Sequence, residues 1–209
     1  INFRMPYIAK NVSEFWRRWH ISLSSWLRDY LFIPLGGSRG SRWLVARNLM
    51  ITMALGGLWH GANWSFVIWG LLHGLLLVIH RFFRDFAEAR PRFNALLETW
   101  AGTAFRIGLT FFCVSMCWIF FQPSLTRSLA ILERMFVPGG LGGMPISTER
   151  LKLFLVLAIA AHALVAAGLW LRWVRRIPAP LLGASYAVLL TLTLLLSPDA
   201  SKTFIYFQF

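Results

Sequence analysis

Acidic residues are scarce in this chain. Only eight of its 209 residues are Asp or Glu, against 21 Lys and Arg, which leaves a net charge of +13. No carboxylate or cysteine stands at ligand spacing within the apolar runs, and no H-E-x-x-H pattern occurs, so no metal site is expected. Cysteine is nearly absent as well. Cys113 and Cys117 lie four residues apart on one helix face, where they make poor disulfide partners and read as small buried hydrophobes. No G-x-S-x-G elbow is present, so Ser22, Ser24 and Ser25 read as a polar helix face rather than a nucleophile. The run Gly36-Gly37-Ser38-Arg39-Gly40-Ser41-Arg42 lacks the G-K-[ST] ending of a phosphate-binding loop. No basic stretch, short apolar run and cleavage site opens the chain. The first residue is Ile1, and the expectation is the C-terminal part of a longer protein whose N-terminal spans are missing.

What is abundant is apolar surface. The chain is 57% hydrophobic, whereas soluble domains contain about 45–50%. The excess lies in long runs, which places the chain in the membrane class. Its arginines cluster beside those runs, a pattern that fits cytoplasmic loops and anionic lipid headgroups rather than nucleic acid.

The periodicity predicts an all-α fold, a multi-spanning transmembrane helical bundle with interfacial and re-entrant helices. Asn11-Val12-Ser13 offers a helix start. A helix of about 18 residues to Tyr30 follows, with Phe15, Trp16, Trp19, Leu23, Trp26, Leu27 and Tyr30 on one arc, as suits a membrane interface. Residues 49–80 are apolar and broken at Gly56-Gly57 and Gly61. They predict a short or re-entrant helix over 47–58 and a span over 63–80. Further spans are predicted over 100–121, 151–173 and 181–197, with a short helix at 125–136 and an interfacial aromatic tail at 204–209. The expected organisation is a single membrane domain over 1–209. Within it, 1–46 form the interfacial helix and loop, 47–80 a hairpin, and 81–209 three further spans with their loops.

Charge suggests how the chain threads. Arg39, Arg42 and Arg47 argue for the inside, as do the arginines of 81–92 and 172–176. The stretch 48–80 then enters and leaves on one side as a hairpin of two partial crossings. His60 falls at its turn, in a cavity at membrane depth, where an imidazole is functional by default. Burial there favours the neutral ring, which can take a proton from a hydroxyl. His20, beside Trp19, is the second candidate, able to orient a substrate or polarise a carbonyl. His73 and His80 share a helix face, and His162 reads as packing. The loop from Gly36 to Arg42 could cradle phosphates.

The segments Asn2-Phe3-Arg4, Glu14 to Tyr30, Ile33-Pro34-Leu35-Gly36-Gly37 and Gly57-Leu58-Trp59-His60-Gly61 resemble the membrane-bound O-acyltransferase (MBOAT) family. The branch resembled is that of the alginate O-acetyltransferase membrane proteins and the teichoic-acid D-alanyl transfer proteins. The resemblance implies a bundle of about eleven helices in a bacterial inner membrane, crossed many times. It implies that His60 is the essential catalytic histidine and His20 its companion. Arg17, Arg28, Arg39, Arg42, Asn63 and Trp59 are the candidates for holding donor or acceptor. No tightly bound cofactor is implied. The donor would be an acyl thioester, acetyl-CoA or an acyl carrier. The partners would be membrane lipids, periplasmic acetyltransferases and an exported polysaccharide such as alginate. Two rivals predict otherwise. A histidine-gated transporter would carry protons without any donor, and a scaffold of an export complex would tolerate loss of both histidines.

Overall fold

In the computed structural model, residues 1–137, 148–174 and 176–196 are described. The described residues are helical, with turns and loops between the helices. They fall into two compact units, Ile1–Gly140 and Leu141–Phe209.

The first unit begins with an extended segment and a 3-10 turn at Pro6–Ile8. Helix α1 (Val12–Arg18) starts where Asn11 accepts a hydrogen bond from the Glu14 N–H at 2.8 Å. Glu14 reaches back to the Lys10 N–H at 2.8 Å and pairs with Arg18. Burial pushes the Glu14 carboxyl up, but these two donors outweigh it and hold the group below its ordinary range. The predicted single helix to Tyr30 does not form. The chain breaks at Trp19-His20 and resumes as α2 (Ile21–Leu27), followed by a π-helical turn at Arg28–Phe32. The break is imposed by tertiary hydrogen bonds. The Ile21 N–H donates to the Asn2 carbonyl at 3.0 Å, the Arg4 N–H to the Arg18 carbonyl at 2.8 Å, and the Ser22 N–H to Asn2 Oδ1 at 2.8 Å.

Helices α3 (Arg42–Trp59) and α4 (Trp64–Glu88) form an antiparallel hairpin. Ser41 caps α3 and Asn63 caps α4, each through a side-chain oxygen. Both arms are longer than their sequence predicts. The 18 residues of α3 rise about 27 Å, so its first turn lies well before residue 47. The arms approach so closely that side chains are excluded at the crossing. A Cβ on Gly57 would stand 2.1 Å from the Phe66 carbonyl oxygen, and one on Gly70 2.1 Å from that of Met53. Small residues at such crossings are how apolar helices gain packing energy in lipid.

Helix α5 (Pro91–Glu98) turns the chain, and α6 (Trp100–Trp118) returns along α4 and α1. The short helix predicted at 125–136 is α7 (Leu125–Phe136). Among the described residues, α4 and α6 are long and apolar enough to cross a membrane. They leave Leu71, Leu75 and Phe112 exposed, as a lipid-facing surface would. Inside, Phe15 and Trp16 of α1, Met53 of α3, Trp69 of α4, and Val114 and Cys117 of α6 share one core. Cys113 and Cys117 are both free thiols.

The second unit holds α8 (Thr148–Ala166), α9 (Leu169–Val174) and α10 (Ala179–Leu196). The predicted span over 151–173 is divided at Gly168, whose φ is +66°. His162 Nδ1 lies 2.7 Å from the Ala158 carbonyl oxygen, one turn back. The predicted tail over 204–209 and the glycine-rich part of the 122–150 loop, at 139–143, lie outside the described residues.

Because the hairpin closes on backbone atoms, Gly70→Leu should prevent it from forming. The full chain carrying this change should be recovered at a small fraction of the unsubstituted level from detergent extracts, judged by size-exclusion chromatography. Leu75→Ala, on an exposed stretch of the same helix, should leave recovery unchanged.

Candidate active site

His60 sits in the turn of the hairpin. It follows the last residue of α3 and precedes the first of α4, so it lies outside both arms. Its N–H donates to the Gly57 carbonyl at 3.0 Å. The ring is 7% exposed and enclosed by other rings. Phe121 lies 4.8 Å away between centroids, Trp59 at 5.0 Å and Trp69 at 5.3 Å, each close to perpendicular. Phe66 closes the side at 6.4 Å.

Each wall is held from below. Trp69 is one of the least exposed residues of α4. Phe121 belongs to the turn ending α6, which Ser128 of α7 fastens by donating to the Ile119 carbonyl at 2.9 Å. Asn63 adds a second tie, donating from Nδ2 to the Pro123 carbonyl at 3.4 Å. Its Oδ1 accepts from the Ser65 N–H at 2.9 Å. Asn63, expected to touch substrate, thus shapes the turn with both ends of its amide.

Burial pushes the His60 imidazole down to about 4, and the charge of His20 adds to the effect. The two histidines are therefore within electrostatic reach, which their spacing of forty residues did not reveal. His20 adopts φ +42°, a left-handed conformation uncommon outside glycine. Such conformations persist where the surroundings over-determine them, often at functional sites. Here the hydrogen bonds from Asn2 and Arg4 across the α1–α2 break do so. The His20 ring lies 6.1 Å from that of Phe3. Its Nδ1 is buried with no hydrogen-bond partner among the described residues.

A second histidine of α4 belongs to the same layer. His73 is completely buried. Its ring stacks on Phe15 at 6.1 Å with an interplanar angle of 9°, and meets Trp69 at 4.8 Å and Trp16 at 5.1 Å. Trp69 thus contacts His60 on one side and His73 on the other. In the sequence His73 stands out only for sharing a helix face with His80. The i,i+4 pair Trp69/His73 was the available sign that it faced the core.

The remaining candidates lie apart. Trp59 borders His60 directly. Arg42 opens α3, while Trp59 closes it, so the two ends are separated by about 26 Å of helix. Arg42 stands 4.0 Å from Asp85. Arg39 is exposed in the preceding loop. Arg28 is engaged by its neighbour Asp29 at 2.7 and 3.2 Å. Arg17 lines a separate cavity among α1, α4 and α6. The sequence marked Arg47 only as a sign of orientation and gave no sign of Asn48. Arg47 donates to Asn48 Oδ1 at 3.0 Å, and the buried Asn48 donates to the Gly37 carbonyl at 3.1 Å, which pins the glycine loop to α3.

Comparison with known proteins gives this geometry a context. Residues 1–125 match the model of the membrane-bound O-acyltransferase family. The probable alginate O-acetylase AlgI of Azotobacter vinelandii is 47% identical over 135 residues, 65% of this chain and 24% of that protein. The peptidoglycan O-acetyltransferase of Helicobacter pylori is 42% identical over 154 residues, 71% of this chain and 27% of the relative. The teichoic acid D-alanyltransferase of Bacillus subtilis is 37% identical over 89 residues, 39% of this chain and 22% of the relative. The chain therefore spans about a quarter of the length of the curated relatives it matches.

With its proton affinity lowered to about 4, His60 should remain neutral throughout the range in which an ordinary imidazole, near 6.5, becomes charged. Nitrogen-15 NMR of histidine-labelled protein in micelles, with His60→Gln to assign the signal, should show no titration of His60 between pH 8 and 5. A midpoint near 6.5 would contradict the closed ring environment.

Proposed function

The chain belongs to the membrane-bound O-acyltransferase family, and from that premise we propose that it carries the reaction centre of an acetyl-transferring enzyme. The acceptor is a hydroxyl of an exported bacterial polysaccharide. The chain works within a multi-spanning bundle of the inner membrane, together with the remainder of the protein and periplasmic acetyltransferase partners. The relatives named for alginate and peptidoglycan O-acetylation support the acetyl group and the sugar acceptor.

The single observation that carries the chemistry is the buried, ring-enclosed imidazole of His60. In the proposed step, a neutral His60 accepts the proton of the acceptor hydroxyl as its oxygen attacks the thioester carbonyl. A C–O bond forms and a tetrahedral intermediate results. Its collapse breaks the C–S bond, and the departing sulfur takes the proton back from His60. The ring's low proton affinity keeps it in the accepting form at neutral pH. It also makes His60 a weak base, which suits proton transfer concerted with C–O bond formation.

His20 positions the acyl carbonyl. Its buried, unpartnered Nδ1 and its strained backbone support this role. Trp59 borders the acceptor's approach. The donor is an extended thioester such as acetyl-CoA or an acyl carrier arm. The helix length between Arg42 and Trp59 supports an extended shape. In this reading Arg39 and Arg42 hold the donor's phosphates at the far end of the hairpin. Arg28 contributes less, since Asp29 already engages it.

Complementation of a deletion strain tests the assignment. The full chain carrying His60→Ala should lower polysaccharide O-acetyl content at least about 100-fold, the range typical of a lost general base. Wild-type acetylation at normal protein abundance would refute the role. At His20, Asn tolerates a left-handed backbone better than Val does. Both His20→Asn and His20→Val should therefore lose activity, but only His20→Val should also lose folded protein. Full activity in His20→Asn would reduce His20 to a backbone element.

A further inference from the structure

Away from His60, the first unit contains a cavity of about 920 Å³ between α1, α4, α5 and α6. Its lining is of two kinds. The walls are apolar, formed by Leu76 and Ile79 of α4 and Phe105 and Leu109 of α6. The charged lining comprises Lys10, Arg17, Arg84 and Arg106, set against Glu88 and Glu98. Arg84 pairs with Glu88 at 3.5 Å, and Arg106 with Glu98 at 2.7 Å. Lys10 and Arg17 make no ion pair within 4.0 Å among the described residues. The cavity therefore carries two positive charges in excess beside an apolar wall. That wall is built by α4 and α6, the two helices suited to crossing a membrane.

We propose that this cavity is a binding site for an anionic phospholipid. The phosphate rests on Lys10 and Arg17, and an acyl chain lies along Ile79, Phe105 and Leu109. Charge complementarity selects an anion, since two unpaired cations at the edge of a low-dielectric wall favour a phosphate that brings its own charge. The wall selects the source. Alkyl chains gain by covering exposed aliphatic and aromatic side chains, whereas the nucleotide and amide groups of a soluble thioester would lose hydrogen bonds to water there. The site does not depend on the acyl-transfer reading. It lies beside α1, the helix whose C-terminal end leads into the His20 bend. A bound lipid would therefore tie α1 to α4 and α6 and steady that bend.

The test uses the full chain in mild detergent, incubated with mixed micelles of equal phosphatidylglycerol and phosphatidylethanolamine. Native mass spectrometry after size exclusion counts the retained lipid. The expected result is preferential retention of phosphatidylglycerol. The double substitution Lys10→Gln/Arg17→Gln should lower that retention roughly tenfold, given the strength of a basic side chain near an anionic headgroup. Ile79→Trp, which fills the apolar part and leaves both cations in place, should lower it comparably. His60→Ala should retain lipid as the unsubstituted chain does, which separates this site from the reaction centre. Circular dichroism melts identify any variant that fails to fold, and the other variant then decides. Equal retention of the two lipids, or undiminished retention in the folded variants, would overturn the proposal. So would displacement of the lipid by coenzyme A that depends on Lys10 and Arg17, because it would assign the cations to a soluble phosphate-bearing donor.

Discussion

The contact on which the rest of the first unit depends is backbone against backbone. Where α3 crosses α4, Gly57 and Gly70 present hydrogen atoms to carbonyl oxygens, with no room for a methyl group. That proximity sets the turn between the arms, and the turn holds His60. A hairpin opened by the width of one side chain would separate Trp59 and His60 from Phe66 and Trp69. Dispersion between closely fitted surfaces is the force available to helices in lipid, where the hydrophobic effect between them is weak. The glycines thus define the geometry of the site without touching it.

Around that turn the protein uses aromatic rings where a soluble enzyme would use polar groups. His60, Trp69 and His73 follow one another in contact, and Phe15, Trp16 and Phe121 close the layer. Rings fill the volume, exclude water and still present a charge distribution to the imidazoles between them. Polar atoms remain inside this layer. Both His73 nitrogens and the indole nitrogens of Trp16 and Trp69 lack hydrogen-bond partners among the described residues. Such groups are costly unless ordered water or substrate meets them. Their concentration beside His60 marks this layer as the polar interior of an otherwise apolar unit.

How much of this could be read from the residues depended on the range of the interactions involved. The apolar runs and their glycine breaks located α3, α4 and α6, and the short helix expected at 125–136 is α7, because those signals are local. The place of His60 between two apolar segments was legible because a histidine among apolar residues is itself a local anomaly. The bend at Trp19-His20 was not legible. Nothing in that stretch demands a left-handed residue, and the demand comes from Asn2 and Arg4, fourteen to twenty residues away. The structural part of Asn63 was not legible either, since its amide reaches forward to the α4 cap and across to Pro123. Phe121 was not connected with His60, since sixty residues separate them and only the return of α6 brings them together.

The bend at His20 also bears on the order in which the protein is assembled. Helices α1 and α2 have seven residues each, too few to persist alone in water. Each needs a surface to form on, and α1 finds it on α4 and α6. The left-handed turn joining them is held by a strap, Asn2 and Arg4, whose hydrogen bonds reach the end of α1 and the start of α2. The strap, the bend and the orientation of His20 therefore depend on one another, on a surface that α4 and α6 supply. A chain with its hairpin built but its strap unlatched would have the His60 turn formed and His20 unplaced. His60 and His20 are thus set by different contacts, the first by the hairpin and the second by the strap.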